Sequence, residues 1–169
     1  MLDFLLGQLE TDEARQKAVN KKDEGGWTPV MSATSSGHSD VVKKLCEDYN
    51  CDVNKQNDNN QIPLHYVKKN EIIASILIPK TNNLNQQSKR GGVTSLMKSV
   101  MIGSAGIVNQ LISTGDKCQI NLQDASGNTA LHYAYSEGNK EIINLLENKG
   151  NASRAIVNKE KKLPSQMGK

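Results

Sequence analysis

The apolar residues between positions 124 and 146 fall into two short helical stripes that follow a tight turn. In this stretch, DASGNTALHYAYSEGNKEIINLL, Gly127 permits the turn and Thr129 begins an inner helix. The helix faces that must be buried are supplied by Leu131, Ala134, Ile142 and Leu145. Because one pair of short helices cannot cover both faces by itself, the pattern predicts that similar pairs stack beside it.

The same pattern recurs along the chain with a nearly constant spacing. The first position of each inner helix is occupied in turn by Pro29, Pro63, Ser95, Ala130 and Pro164. These positions are 34, 32, 35 and 34 residues apart, and a helix-turn-helix period of about 33 residues is typical of ankyrin repeats. The stretch 124–146 resembles the family motif in Asp124, Gly127, Thr129, Leu131, His132 and Ala134. The resemblance implies an all-α fold, an ankyrin-repeat solenoid of about five stacked helix-turn-helix repeats with incomplete terminal repeats.

The predicted organisation is a single ankyrin-repeat domain over residues 1–169. Its repeats are expected near 1–22 (partial), 23–56, 57–88, 89–123, 124–157 and 158–169 (partial). A stripe that predicts an outer helix near the start is formed by Leu2, Leu5, Leu6 and Leu9. We therefore expect the chain to enter the solenoid halfway through one repeat and to stop within the inner helix of another.

Two repeats depart from the regular length. The repeat that begins near Asn57 is about two to three residues shorter than the family period allows, which predicts a curtailed inner helix. Pro79 is expected to end the outer helix of that repeat, because proline cannot donate a helical hydrogen bond. The next repeat carries two extra residues in segment 113–119, where a surface loop tolerates insertion.

The composition argues against a membrane protein and against a disulfide-rich secreted protein. The chain is 36% hydrophobic and 4% aromatic with a net charge of +3, and its apolar runs are too short for a membrane span. The three cysteines, Cys46, Cys51 and Cys118, are odd in number and indicate reduced thiols instead of a disulfide framework. With no secretory leader pattern at Met1, we expect an intracellular protein of the cytoplasm, with the nucleus as a second location.

Candidate chemistry is sparse. His65 and His132 occupy one position in two repeats, where the family's residue hydrogen-bonds the backbone and the threonine of its own motif, so a structural role is predicted. Met31 and Met97 occupy the same position in two other repeats, which a catalytic or metal site would not tolerate. Zinc spacings, phosphate loops and nucleophile motifs are absent, and the lysines of residues 159–162 lack interleaved aromatics. The sequence predicts no enzyme, no cofactor, no metal and no nucleic acid as partner.

The remaining functional feature is a surface for a protein partner. In ankyrin stacks the turn tips and the outward side of the inner helices form a concave face that is free to recognise a protein. The predicted protein-binding residues are Glu24, Trp27, Ser35, Asp58, Asn59, Gln61, Arg90, Val93, Met101, Ser126, Asn128 and Ser136. Trp27, the single tryptophan, is either a binding hot spot or packs on the neighbouring turn.

Charge is distributed unevenly along the predicted stack. Residues 1–85 carry ten Lys or Arg against twelve Asp or Glu, a net of −2, whereas residues 86–169 carry eleven against six, a net of +5. Stacking in sequence order turns this difference into a gradient along the solenoid. We expect Glu24 and Asp58 to face basic side chains of a partner, and Arg90, with Lys98 if it points inward, to face acidic ones.

A narrower resemblance rests on GGWTP at 25–29, PLHY at 63–66, GNTALHYA at 127–134 and VNKEKKLPSQ at 157–166. In this order and near this spacing they resemble the gankyrin family, of which this chain matches only the later repeats. The resemblance implies a chaperone that holds the C-terminal domain of a proteasomal ATPase subunit on its concave face during assembly of the 26S regulatory particle. The chain itself is expected to be a monomer. The alternatives are a general ankyrin adaptor in signalling or ubiquitin-ligase recruitment, and a regulatory ankyrin segment of an enzyme.

Overall fold

The computed structural model describes Gly7 and residues 11–168. Its helices are α1 (Asp12–Val19), α2 (Pro29–Ser36), α3 (Ser39–Glu47), α4 (Glu71–Leu77), α5 (Ser95–Met101), α6 (Ala105–Ile112), α7 (Ala130–Ser136) and α8 (Lys140–Asn144). Helix α8 continues as a π-helical turn over Leu145–Lys149, and 3₁₀ turns cover Pro63–Tyr66, Ile78–Lys80, Gly115–Lys117 and Pro164–Gln166. Within the described residues there is no strand, and the all-α repeat fold predicted from the sequence is confirmed. The predicted stripe of Leu2, Leu5, Leu6 and Leu9 lies outside the described residues.

Each inner helix is preceded by a tight turn. The side chain of the first residue of the turn holds the turn in shape. Asp124 Oδ1 accepts hydrogen bonds from the N–H groups of Ser126 and Asn128, both at 2.8 Å. The equivalent positions that close a turn in the same way are Asp23, Asn57 and Asn158, and Ser88 contributes its hydroxyl to the remaining turn. Short Asp and Asn side chains favour such turns because they satisfy backbone donors two to four residues further on.

Successive turns are hydrogen-bonded to one another at their tips. The four backbone bonds run from Asp58 N to Gly25 O at 3.3 Å, Lys89 N to Asn59 O at 2.7 Å, Ala125 N to Gly91 O at 2.9 Å and Lys159 N to Ser126 O at 3.0 Å. We call these eight residues the tip row. The tip row aligns five turns side by side, so the side chains on the turns form one continuous edge of the stack.

The two buried histidines also link neighbouring repeats. In His132 the Nδ1 atom lies 3.1 Å from Thr129 N and the Nε2 atom lies 3.1 Å from Lys162 O of the next turn. His65 contacts Ile62 N at 3.3 Å and Val93 O at 3.2 Å in the same way. The contacts agree with the predicted structural role of both residues. The equivalent methionines, Met31 and Met97, are buried but cannot donate such a bond.

A second set of links lies beyond the outer helices. Four asparagine side chains accept a hydrogen bond from a backbone N–H of the following repeat at 2.7 to 2.8 Å. The pairs are Asn20 with Asp52, Asn54 with Asn82, Asn85 with Gln119 and Asn121 with Ser153. Each repeat is therefore tied to the next on both sides of its helix pair, as a stack whose units contact only their neighbours requires.

The irregular repeats have the structure expected from their lengths. The inner helix of the short repeat is reduced to the 3₁₀ turn Pro63–Tyr66, and Asn70 then caps α4 by accepting from Ile73 N at 3.1 Å. Helix α4 ends at Leu77, directly before the 3₁₀ turn that contains Pro79. The inserted residues after α6 form the 3₁₀ turn Gly115–Lys117.

One core assignment from the sequence is corrected. Leu131, Ala134 and Ile142 are fully buried as predicted, but Leu145 is only half-buried and Leu146 takes the fully buried position. The chain changes from α-helical to π-helical geometry at Leu145. Leu146 lies four residues after the buried Ile142, on the same face of the helix.

Candidate protein-binding face

The predicted binding residues all remain accessible in the folded stack. Those with exposed side chains are Glu24, Asp58, Asn59, Arg90, Ser126 and Ser136. Those that are half-buried are Trp27, Ser35, Gln61, Val93, Met101 and Asn128. The turn residues among them are brought together by the tip row, whereas Ser35, Met101 and Ser136 lie near the C-terminal ends of α2, α5 and α7.

Trp27 packs against an aromatic ring of the next repeat. Its ring centroid lies 4.2 Å from that of Tyr66, with the two planes tilted by 42°. The side chain is nevertheless half-buried, so part of its surface faces solvent. Trp27 therefore packs on its neighbour and still presents a rigid apolar surface, the combination found at interface hot spots.

Tyr66 is held in place by its own turn. Its hydroxyl donates to Gln61 Oε1 at 2.6 Å and accepts from Asn57 Nδ2 at 2.6 Å. Burial is the main reason that the pKa of Tyr66 is raised. A ring fixed by two hydrogen bonds and by packing against a tryptophan is preorganised for contact, because little side-chain entropy is left to lose on binding.

Lys98 extends this arrangement into a third repeat. Its Nζ atom lies 5.4 Å from the centroid of the Tyr66 ring, within the range of a cation–π contact. Burial lowers the pKa of Lys98, and among the described residues its Nζ forms no ion pair with a carboxylate. We call Trp27, Tyr66 and Lys98 the aromatic row. Its cation is partly desolvated and not neutralised by the described part of the chain, so it favours an anionic group on a partner.

Tyr66 is absent from the residues predicted to bind, and Lys98 was expected to contribute only on the condition that it points inward. Both follow the histidine or methionine position of their repeat directly, as Tyr133 does in the repeat after them. In that repeat the Tyr133 hydroxyl donates a hydrogen bond to the carboxylate of Asp124, which lies in the turn of the same repeat. Burial raises the pKa of Tyr133 to about 12. The sequence could have pointed to Tyr66 and Lys98 through this position, because the residue directly after the histidine or methionine lies at the same place in each repeat.

An open recess of about 460 Å³ borders the tryptophan end of the aromatic row. It is lined by Ala18, Lys21, Lys22, Asp23, Trp27, Thr28, Pro29 and Ser32. Its lining combines Ala18, Trp27 and Pro29 with charges of both signs, so it suits an apolar side chain of a partner.

The tips differ in charge along the row. Glu24 and Asp58 occupy the first two turns with exposed side chains, and Lys89, Arg90 and Lys159 occupy later turns. Among the described residues, none of these five forms a side-chain ion pair with another residue of the chain. The face therefore changes from acidic to basic along the stack, with its charges open to solvent.

The described residues, Gly7 and 11–168, contain no cluster of three or more His, Cys, Asp or Glu side chains that could hold a metal ion. Both ring nitrogens of His65 and of His132 lie within hydrogen-bonding distance of backbone groups. No helix in this same part of the chain has the length and apolar character that crossing a membrane requires.

A stack of short helix pairs with bonded turns and an accessible face defines a helical-repeat scaffold for protein interaction. The chain belongs to the ankyrin-repeat family: the family model for ankyrin repeats in three copies matches residues 1–88 and 64–159. It is an ankyrin-repeat protein-interaction scaffold.

Comparison with characterised relatives gives three informative matches. The chain is 30% identical over 157 residues to the probable 26S proteasome regulatory subunit p28 of Saccharomyces cerevisiae, covering 91% of this chain and 66% of that protein. It is 61% identical over 28 residues to the 26S proteasome non-ATPase regulatory subunit 10 of Dictyostelium discoideum, covering 17% of this chain and 12% of that protein. It is also 30% identical over 125 residues to an L-asparaginase of Dirofilaria immitis, covering 73% of this chain and 21% of that protein.

The chain thus spans less than two thirds of the length of each of these relatives. The resemblance to the gankyrin-type proteasome subunit that the turn motifs indicated is confirmed. The asparaginase match shows that similar repeats also occur within a protein named for a different function.

Proposed function

We propose that this chain is a gankyrin-like assembly chaperone that binds the C-terminal domain of a proteasomal ATPase subunit during assembly of the 26S regulatory particle. Two of its relatives are named as proteasome regulatory subunits, and one of them aligns with 91% of the chain. The observation that carries the proposal is the continuous face formed by the tip row and the aromatic row, which is rigid, accessible and graded in charge.

Binding on this face divides into two contributions. The aromatic row and its recess supply an apolar anchor, which governs how long a complex lasts because desolvated aromatic contacts must be broken on dissociation. The exposed charges of the tips steer the approach of a partner with the opposite polarity. The proposed partner segment is therefore amphipathic, with basic groups over Glu24 and Asp58 and acidic groups over Arg90 and Lys98.

We propose that the protein acts as a monomer in the cytoplasm or nucleus, without catalysis and without a cofactor. A monomer leaves the whole edge of turns free for one partner. Since each buried histidine uses Nδ1 within its own repeat and Nε2 in a contact with the next repeat, it has no free nitrogen for a catalytic or metal-binding role.

The proposal is tested by measuring binding to the isolated C-terminal domain of each proteasomal ATPase subunit from the source organism. We expect one domain to bind, and Trp27→Ala to weaken that binding by more than about tenfold, because a desolvated tryptophan contact is worth about 2 kcal/mol or more. The matched control is Ile72→Ala. Ile72 is the exposed apolar residue of α4, with 63% of its surface accessible.

Circular dichroism and urea unfolding of both variants establish that the fold is retained. Binding to none of the ATPase domains rejects the proteasomal assignment. An adaptor function in signalling or ubiquitin-ligase recruitment then becomes the preferred one if an unrelated protein binds and its binding is weakened by Trp27→Ala.

A further inference from the structure

Cys46 and Cys51 are brought together by the turn that ends helix α3. Cys46 lies in the last turn of α3, and the chain reverses at Asn50, whose φ of 45° is in the left-handed region. The N–H of Cys51 then donates to Leu45 O at 2.9 Å. A left-handed residue that closes a helix with a backbone bond of this type is a common C-terminal cap. The cap fixes the second cysteine beside the first.

The two sulfur atoms are in direct contact. Their Sγ atoms are 3.5 Å apart, and both side chains are buried, with 2% of the surface of Cys46 and 6% of that of Cys51 exposed. A disulfide bond is about 2.05 Å long, so bonding requires the sulfurs to approach by about 1.5 Å. The segment between the two cysteines, residues 47–50, is short and includes the exposed Asp48 and Asn50.

The surroundings make the two thiols unequal. The contact with Cys51 lowers the pKa of Cys46, and Lys80 acts in the same direction. The contact with Cys46, followed by burial, raises the pKa of Cys51. Cys118 differs from both, because burial raises its pKa to about 11 and, among the described residues, no other cysteine lies in contact with it. The 3.5 Å separation of the sulfurs places Cys51 where it can resolve an adduct formed on Cys46.

We propose that Cys46 and Cys51 form a reversible modification site, an intrachain disulfide that is made by exchange with a small-molecule disulfide such as oxidised glutathione. The Cys46 thiolate attacks one sulfur of glutathione disulfide, which breaks that S–S bond and releases one glutathione thiolate. The Cys51 thiolate then attacks the Cys46 sulfur and releases the second glutathione. The two cysteines lose two electrons and two protons in total, and glutathione disulfide takes them up to become two thiols.

The cross-link would tie the end of α3 to the segment that leads into the next turn. That segment contains the buried Val53 and then Asn54, which bonds the following repeat through Asn82 N at 2.7 Å. The disulfide would thus fix the junction between two repeats on the outer side of the stack, away from the aromatic row. It does not depend on the identity of the binding partner.

The test uses the full chain equilibrated with buffers of increasing oxidised-to-reduced glutathione ratio, followed by alkylation of the remaining thiols. Chymotrypsin cleaves after Tyr49, between the two cysteines, so the two flanking peptides stay joined only when Cys46 and Cys51 are bonded. Mass spectrometry without reduction should detect the joined peptides, and dithiothreitol should separate them. Cys118→Ser is the matched control and should leave the joined product unchanged, whereas Cys46→Ser should abolish it.

The folded chain should form the bond at a glutathione ratio lower by about tenfold or more than the same chain in urea, because the fold already holds the sulfurs together. Equal ratios for the folded and urea-treated chains would overturn the proposal. Separate glutathione adducts on Cys46 and Cys51, or a bond to Cys118 or to another chain, would also overturn it.

Discussion

His65 is a buried residue whose ionisation is coupled to folding. Burial is the main cause that lowers its pKa from 6.5 to about 4, and the positive charge of Lys98 adds to the effect. The folded state therefore disfavours the protonated ring. The stability that His65 contributes is fully present above the unfolded-state pKa, and it is lost as the pH falls from about 6.5 towards about 4.

We predict that His65→Met removes part of the acid sensitivity of the fold. A pKa shift of this size lowers the free energy of unfolding by about 3 kcal/mol between neutral pH and pH 4, since one pKa unit is about 1.4 kcal/mol. Methionine suits the position because Met31 and Met97 fill it in other repeats. Urea unfolding at several pH values should show a shallower decline for the variant. An identical decline in both proteins would assign the acid sensitivity to other groups.

Leu131 provides a second test at the scale of single residues. It is fully buried between stacked helices, so Leu131→Ala should lower the free energy of unfolding by about 2 to 5 kcal/mol. Asn59→Ala, at an exposed turn tip, should have little effect because the tip bond uses the backbone of Asn59. Chemical denaturation measures both. Equally mild effects would show that the assigned phase of the repeats is wrong.

At the scale of elements, the turns depend on close contact between backbones. Gly127 has a φ of 78°, and a Cβ atom at this position would lie 2.8 Å from Lys159 N of the next turn. Lys159 N is the donor of the last tip-row bond. Gly138 has a similar φ of 66°, but a Cβ atom there would meet nothing within 4 Å. Both glycines adopt a left-handed backbone conformation, but only at Gly127 would a Cβ atom collide with the next turn.

We therefore predict that Gly127→Ala destabilises the chain more than Gly138→Ala. Both variants carry the cost of about 1 kcal/mol that a left-handed alanine imposes, and only the first also pushes two turns apart. Thermal or urea unfolding gives the difference directly. If Gly138→Ala is equally harmful, contact between the turns contributes nothing measurable to stability.

At the scale of the whole molecule, the order of charge along the stack should control association. For a confirmed partner, Glu24→Lys combined with Asp58→Lys should lower the association rate and weaken its dependence on salt, since exposed charges act over a Debye length of about 8 to 10 Å. Stopped-flow kinetics at several salt concentrations measures both quantities.

The matched control is Asp40→Lys combined with Asp116→Lys, which makes the same change in net charge at exposed positions away from the tip row. If the two double variants behave alike, only the net charge matters. If the tip variant leaves both the rate and its salt dependence unchanged, binding runs through apolar anchors such as Trp27 or through another surface.

Much of the fold could be predicted from the sequence because its determinants are local. Glycine, threonine and Asp or Asn at fixed offsets specify the turns, and apolar periodicity specifies the faces that stack. The short repeat followed from counting residues, and the end of α4 just before Pro79 followed from the donor that proline lacks. The burial of Leu146 instead of Leu145 could not be predicted, since spacings of three and four residues from Ile142 both keep a side chain near the same helix face.

The sequence by itself thus determined the family, the period and the edge on which exposed residues gather. Only the tertiary structure decided which side chains of that edge meet. Trp27, Tyr66 and Lys98 belong to three different repeats, and their contact depends on rotamers that the stacked neighbours select. The approach of Cys46 to Cys51 likewise depends on the left-handed turn at Asn50. Periodicity encodes which face is buried, whereas a contact between particular atoms is fixed only when the repeats pack.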